Sequence, residues 1–389
     1  MRRTRIETHF ANHAIGVTSS SGKTKAASAT ATDEFVPLLT AIWEDMLRIQ
    51  PITPDQNYFD LGGDSILAVQ MFTRIEQEFK VKLPLATLFD APTIQELARV
   101  LQEENSSQGW SPLVGIKTSG TRPPFFCMHG AGGNVLIYRE LSRHLGADQP
   151  FYGLQAQGLD GASPPLARIE DMAALYVRHI RKFQPHGPYF LGGYCMGGTI
   201  AYEVAQQLQA SGEKVALLAL FDTMDWSKIP VPSFWSKAYG AWQRIVFHAA
   251  NFARLDAHGM GKFLVEKVKV FRNRIPVWRD MLLAGVGGRL SAGNSNSLTL
   301  GQIWSLNDQA CIKYVPMPFA GAITDFRPLK QYRMYNYPNA KWDQLALGGQ
   351  EAVVLPVYPA GMLLNPYVEH LAAALKNCID ARIQPSMNS

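Results

Sequence analysis

The chain has 389 residues and a mass of 43.1 kDa, enough for two folded units, and its 47% hydrophobic and 18% charged content with a mean hydropathy of -0.07 excludes a wholly disordered or fibrous protein. The longest purely apolar run, Val215 to Phe221, is too short to cross a bilayer, and the basic start leads into no apolar signal region, so neither a membrane partner nor secretion is predicted. Net charge is +5, and the four cysteines, Cys127, Cys195, Cys311 and Cys378, lack the paired short spacings of a zinc site or disulfide framework; no metal is expected, and a cytoplasmic location fits.

In chain order, residues 1–31 carry +4 in a Ser/Thr/Ala-rich stretch that reads as a disordered tail or linker. Residues 32–104 carry -8 and the remainder +9, so an acidic small unit is tethered to a basic large one that should attract it at short range. No basic motif with interleaved aromatics follows, which disfavours nucleic acid as a partner.

The acidic unit reads as a small helical bundle. From Glu34 to Leu47, Phe35, Leu38, Leu39, Ile42, Trp43, Met46 and Leu47 recur at three and four, the stripe of an amphipathic helix. A second helix is predicted from Asp64-Ser65 through Phe79 after the turn Gly62-Gly63, and a last one from about Thr93 to Glu103 behind Pro92. The glycines present the Ser65 hydroxyl at a helix N-terminus, where backbone N–H groups and the helix dipole favour a phosphate. A Gly-Gly-Asp-Ser turn by itself would serve equally well as a helix cap.

The whole segment Asp60-Leu61-Gly62-Gly63-Asp64-Ser65-Ile66, with Phe59 before it and Leu88-Phe89-Asp90-Ala91-Pro92-Thr93-Ile94 behind, resembles an acyl or peptidyl carrier domain, over residues 33–104. The resemblance implies a four-helix fold and a covalent 4'-phosphopantetheine on Ser65, placed there by a phosphopantetheinyl transferase.

A polar linker spans residues 105–111. Beyond it, short apolar strands at Phe125-Phe126-Cys127-Met128, Phe151-Tyr152-Gly153-Leu154, Tyr189-Phe190-Leu191 and Val215 to Phe221 alternate with amphipathic stretches, which predicts a parallel sheet covered on both faces by helices. The strand pattern resumes at Gly321 to Phe326 and again at Ala352 to Val357.

After the third strand stands Gly193-Tyr194-Cys195-Met196-Gly197, followed by a helical stretch. Small residues flanking a nucleophile between strand and helix form the nucleophile elbow of α/β-hydrolases, with Cys195 as the nucleophile. The loop His129-Gly130-Ala131-Gly132-Gly133 is placed to supply one oxyanion-hole N–H from Ala131, and Met196 supplies the second. His129 itself reads as structural. Asp222, ending the fourth strand, follows the nucleophile in the chain order of a triad acid, with Asp225 as a rival.

Residues 112–383 together resemble the terminal thioesterase domains of nonribosomal peptide and polyketide synthases. The fold expected is therefore an α/β-hydrolase with a helical lid, preceded by a small all-α carrier. The resemblance implies that an acyl or peptidyl chain passes from the carrier's thiol to Cys195 and is then released to water or another nucleophile, and that the upstream partners are adenylation, condensation or ketosynthase modules. Cysteine stands where serine is more usual, so the intermediate would be a thioester that stays activated for a second transfer.

One departure is plain in the sequence. The family's histidine precedes a segment matched here by Met362-Leu363-Leu364-Asn365-Pro366, but Pro359 occupies its position. The histidine downstream is His370, off the apolar stripe of the terminal helix; His248 and His258 belong to the presumed lid, residues 226–300, whose aromatics suit an acyl tunnel or a partner surface. A cysteine tolerates a weak base better than a serine does, because a helix N-terminus lowers its pKa. The competing function is a non-catalytic module that holds or docks the carrier.

Overall fold

The computed structural model describes residues 35–103, 110–159, 163–224, 242, 300–329, 342–357 and 361–383. The tail, Asp225, the presumed lid apart from residues 242 and 300 (including His248 and His258), and Pro359 lie outside the described residues.

The first unit is four helices: α1 (residues 35–47), α2 (Ser65–Phe79), α3 (Thr87–Asp90) and α4 (Ile94–Glu103). Of the predicted stripe of α1, Leu39, Ile42, Trp43 and Leu47 are at 2% exposure or less and Phe35 and Met46 are half-buried, while Leu38 is exposed. Thr93 and Glu96 close a capping box on α4: Thr93 Oγ1 accepts from the Glu96 N–H (3.2 Å) while Glu96 Oε2 accepts from the Thr93 N–H (3.1 Å). Tyr58, fully buried, meets Trp43 edge-on at 5.3 Å and donates to the Asp64 carbonyl (3.0 Å), so the loop before α2 is packed from beneath.

The second unit is a seven-stranded sheet in the order β1-β3-β2-β4-β5-β6-β7, with β1 (Leu113–Lys117), β2 (Phe125–Met128), β3 (Phe151–Leu154), β4 (Tyr189–Tyr194), β5 (Val215–Phe221), β6 (Ile323–Pro328) and β7 (Gln350–Leu355). All pairings are parallel except β1 with β3, an antiparallel edge strand that the sequence pattern did not reveal because its five residues are uniformly half-buried. Strand alternation sends Phe126, Met128, Leu191, Leu218 and Leu220 to one face, against α6 (Ile169–Phe183) and α7 (Met196–Ala210). Phe125, Cys127, Phe190, Leu217, Ala219 and Phe221 go to the other, against α5 (Arg139–His144) and α10 (Val368–Ile383). Between β5 and β6 lies α8 (Leu300–Lys313), and before β7 the short α9 (Trp342–Leu345). The two buried layers on a parallel sheet are the predicted α/β arrangement.

Candidate active site

The elbow is sterically enforced. Cys195 joins β4 to α7 at φ 57° and ψ -118°, a strained backbone for a non-glycine residue that recurs at functional sites. A side chain on Gly193 would run into the Gly197 backbone, and one on Gly197 would run into the Met128 carbonyl. Cys195 is half-buried, whereas Cys127, Cys311 and Cys378 are buried. Its own N–H is held by the Phe221 carbonyl (2.9 Å), tying the elbow to the end of β5, where Asp222 sits at φ 45° with its N–H on the Phe326 carbonyl (2.9 Å). The structure thus brings Cys195 and Asp222 together at the C-terminal ends of adjacent parallel strands.

Met196 opens α7, so its N–H has no partner within the helix and faces the thiol. Ala131 lies in the loop after β2, turned by a Gly133 N–H to Gly130 carbonyl bond of 2.9 Å. His129 is fully buried beneath that loop: Nδ1 donates to the Gly130 carbonyl (2.7 Å) and Nε2 accepts from Tyr176 Oη (2.7 Å). Burial pulls its pKa down to about 4, so it is a neutral brace of the loop.

The electrostatics correct one expectation. The Met196 N–H does favour the Cys195 thiolate, as a helix N-terminus should, but burial first, then Asp222, outweigh it and push the thiol up to about 12. Asp222 is itself raised to about 7, by burial and then by the nearby Asp325. Asp325 is buried on β6, paired with Arg327 (2.6 Å) and accepting from Gln350 (2.9 Å).

His370 lies on the exposed side of α10, whose buried side is Val368, Leu371, Ala372 and Leu375. Among the described residues no hydrogen bond or ion pair joins it to Cys195 or Asp222.

Sequence reasoning missed α8, which stands over the site. Asn307, 2% exposed, donates to the Ala131 carbonyl (2.8 Å), and a methyl on Gly132 would sit 3.5 Å from the Trp304 ring. Asp308 adds a further carboxylate near the thiol, and Cys311 lies close enough to Cys195 to feel its charge. Trp304, Asn307, Asp308 and Cys311 follow i, i+3, i+4, i+7, a spacing that was available as a one-face signal.

In the first unit, Ser65 is the first residue of α2. Asp64 accepts from the Leu67 N–H (2.9 Å), capping the helix, and leaves the N-terminal end formed by a tight turn. Gly62 takes φ 85°, and a side chain on Gly63 would enter the Tyr58 ring. A serine at a capped helix N-terminus on a glycine turn fits a phosphodiester-linked group.

Comparison with known proteins agrees with both units. The family described as phosphopantetheine attachment site matches residues 37–101, and the thioesterase domain family matches residues 123–228. The chain is similar to malpinin synthetase of Mortierella alpina, 43% identical over 188 residues, covering 48% of this chain and 2% of that one. It is also similar to a dimodular nonribosomal peptide synthase of Bacillus subtilis (strain 168), 38% identical over 209 residues, covering 53% of this chain and 9% of that one. The chain therefore spans only a small part of these relatives. A crystal structure of a four-domain nonribosomal peptide synthetase bound to AMP and glycine superposes with a TM-score of 0.53 at 24% identity, over 95% of this chain and 27% of that one, and shares its fold. A domain of the kind that carries 4'-phosphopantetheine on a serine, followed by a thioesterase domain on an α/β-hydrolase sheet, makes this chain a carrier–thioesterase didomain.

Proposed function

We propose that the chain takes an acyl or peptidyl group from its own carrier onto Cys195 and then releases or transfers it, as one step of nonribosomal peptide or polyketide assembly, with the carrier over residues 33–104 and the thioesterase over 112–383. The observation that carries this reading is the strained Cys195 elbow beside Asp222, beneath the Ala131 loop, in a chain that also contains a carrier. Ser65 is the attachment residue; the group it would hold supplies a flexible arm ending in a thiol, which brings the acyl chain as a thioester. A phosphopantetheinyl transferase and upstream assembly modules are the partners this requires.

In the proposed step Cys195 Sγ attacks the thioester carbonyl, the Sγ–C bond forms, the bond to the incoming sulfur breaks, and the Cys195 proton ends on that leaving thiol. The N–H groups of Ala131 and Met196 hold the oxyanion. A thiol near 12 and a carboxylate near 7 make prior deprotonation by Asp222 uphill by roughly 7 kcal/mol, so the proton moves as the new bond forms. Asp222 is the acceptor best placed in range for general-base work near neutral pH. Release then favours an amine over water, since a thioester is attacked more readily by nitrogen.

The second reading, a non-catalytic holder of the carrier, rests on Pro359 standing where the resemblance places a histidine. Intact-mass measurement of the acyl-loaded full chain decides between them. Under the first reading the acyl group moves to Cys195 and leaves, Cys195→Ala traps it on the carrier, and Ser65→Ala abolishes loading. A wild-type chain that loads Ser65 and never transfers, whatever the acceptor, establishes the holder.

A further inference from the structure

Among the described residues the two units meet at a contact built on the elbow's own scaffold. Phe59 and Asp60 of the carrier lie six and five residues before Ser65. Opposite them is the turn Leu136–Tyr138 and the first residue of α5, Arg139. The Arg139 guanidinium sits 4.1 Å from the Phe59 ring centroid and 3.8 Å from Asp60. It is braced from behind by Glu140 at 2.6 Å, which in turn accepts from Asn365 (2.8 Å). Leu136, 5% exposed, belongs to the carrier's apolar cluster, and Phe89, stacked on Phe59 at 6.4 Å, packs against the cores of both units.

Tyr138, just before Arg139, connects this contact to catalysis. Tyr138, fully buried, donates to the Met128 carbonyl (2.6 Å) and accepts from the Tyr194 N–H (3.0 Å), one residue before Cys195. The segment that meets the carrier is thus hydrogen-bonded to the strand ends that form the oxyanion loop and the elbow.

We propose that Leu136 and Arg139 form the surface by which the thioesterase recognises its carrier and holds it in the delivering pose, with Arg139 as the specificity-determining residue. The proposal rests on Cys195 receiving what the carrier brings. The Asp60–Arg139 ion pair crosses between the units, and with Asp60 68% exposed that pair is weak. Recognition comes from the desolvated guanidinium on the Phe59 ring, with Leu136 buried and Phe89 half-buried around it. The opposite net charges of the units contribute approach rather than fit.

The test uses the full chain with two acyl donors: the loaded carrier, and an N-acetylcysteamine thioester of the same acyl group in free solution. Arg139→Ala should slow transfer from the carrier roughly five- to thirtyfold, the loss expected for a cation–π contact and an ion pair together, and leave acylation by the free thioester within twofold. Phe59→Leu, on the carrier side, should act in the same way. Small-angle X-ray scattering should show a compact wild type and an expanded Arg139→Glu chain. Unchanged carrier transfer in both variants, an equal loss with both donors, or a wild type already as expanded as Arg139→Glu would overturn the proposal. If Cys195 is acylated by neither donor, the catalytic reading fails, while scattering still decides the docking contact.

Discussion

Replacing Asp222 by Asn should stabilise the protein at alkaline pH while disabling it, and the structure sets the size. Burial and Asp325 raise the Asp222 carboxyl from 3.8 to about 7. A group whose folded pKa is raised favours the fold fully below its unfolded pKa and loses that contribution as pH climbs through the folded one. The loss therefore starts near pH 4 and is complete a little above pH 7. At about 1.4 kcal/mol per pH unit its full extent is roughly 4 kcal/mol, of which about 2–3 falls between pH 5 and pH 8. Asn carries no such charge, and at φ 45° it is among the residues that accept a left-handed backbone most readily. Urea unfolding of both proteins at pH 5 and pH 8 should show the Asn variant gaining about 2 kcal/mol relative to wild type between the two pH values, together with a hundred- to ten-thousand-fold slower acylation of Cys195. A stability difference that is the same at both pH values would refute the assignment of that charge to Asp222.

Two further outcomes follow from the geometry. Gly63→Ala drives a methyl into the Tyr58 ring and should lower the carrier's stability by about 1–3 kcal/mol, read from urea unfolding by Trp43 fluorescence; an unchanged midpoint would mean that the loop before α2 can move off Tyr58 freely. His370→Ala, on the exposed side of α10, should change acyl transfer less than twofold, whereas a loss of about a hundredfold or more would place His370 in the proton path and require that helix to reach the site.

The parts of this protein that were legible in the sequence are those whose demands are local. A strained residue between strand and helix needs Gly193 and Gly197 beside Cys195, because backbone passes within contact of both. The turn before Ser65 needs Gly62 for its positive φ and Gly63 for the Tyr58 ring. The α1 stripe and the strands from Phe125 to Phe221 follow from periodicity, since each element must bury one face against the rest. The positions of the Ala131 loop after β2 and of Asp222 at the end of β5 were legible from their order along the chain around the elbow.

Only the tertiary structure decided what depends on residues far apart. No local pattern marks Leu113–Lys117 as an edge strand, because it is half-buried throughout and its place is set by β3. Asn307 is an ordinary helix residue until the fold sets α8 over the Ala131 carbonyl, and Arg139 is an ordinary surface cation until Phe59 lies beneath it. The thiol shows the difference most clearly. Its position at the N-terminus of α7 predicts a lowered pKa, yet burial and the Asp222 and Asp308 carboxylates push it up to about 12. A pKa is a sum over every charge and every loss of water around the group, and that sum exists only once strands β4 and β5 and helix α8 have come together.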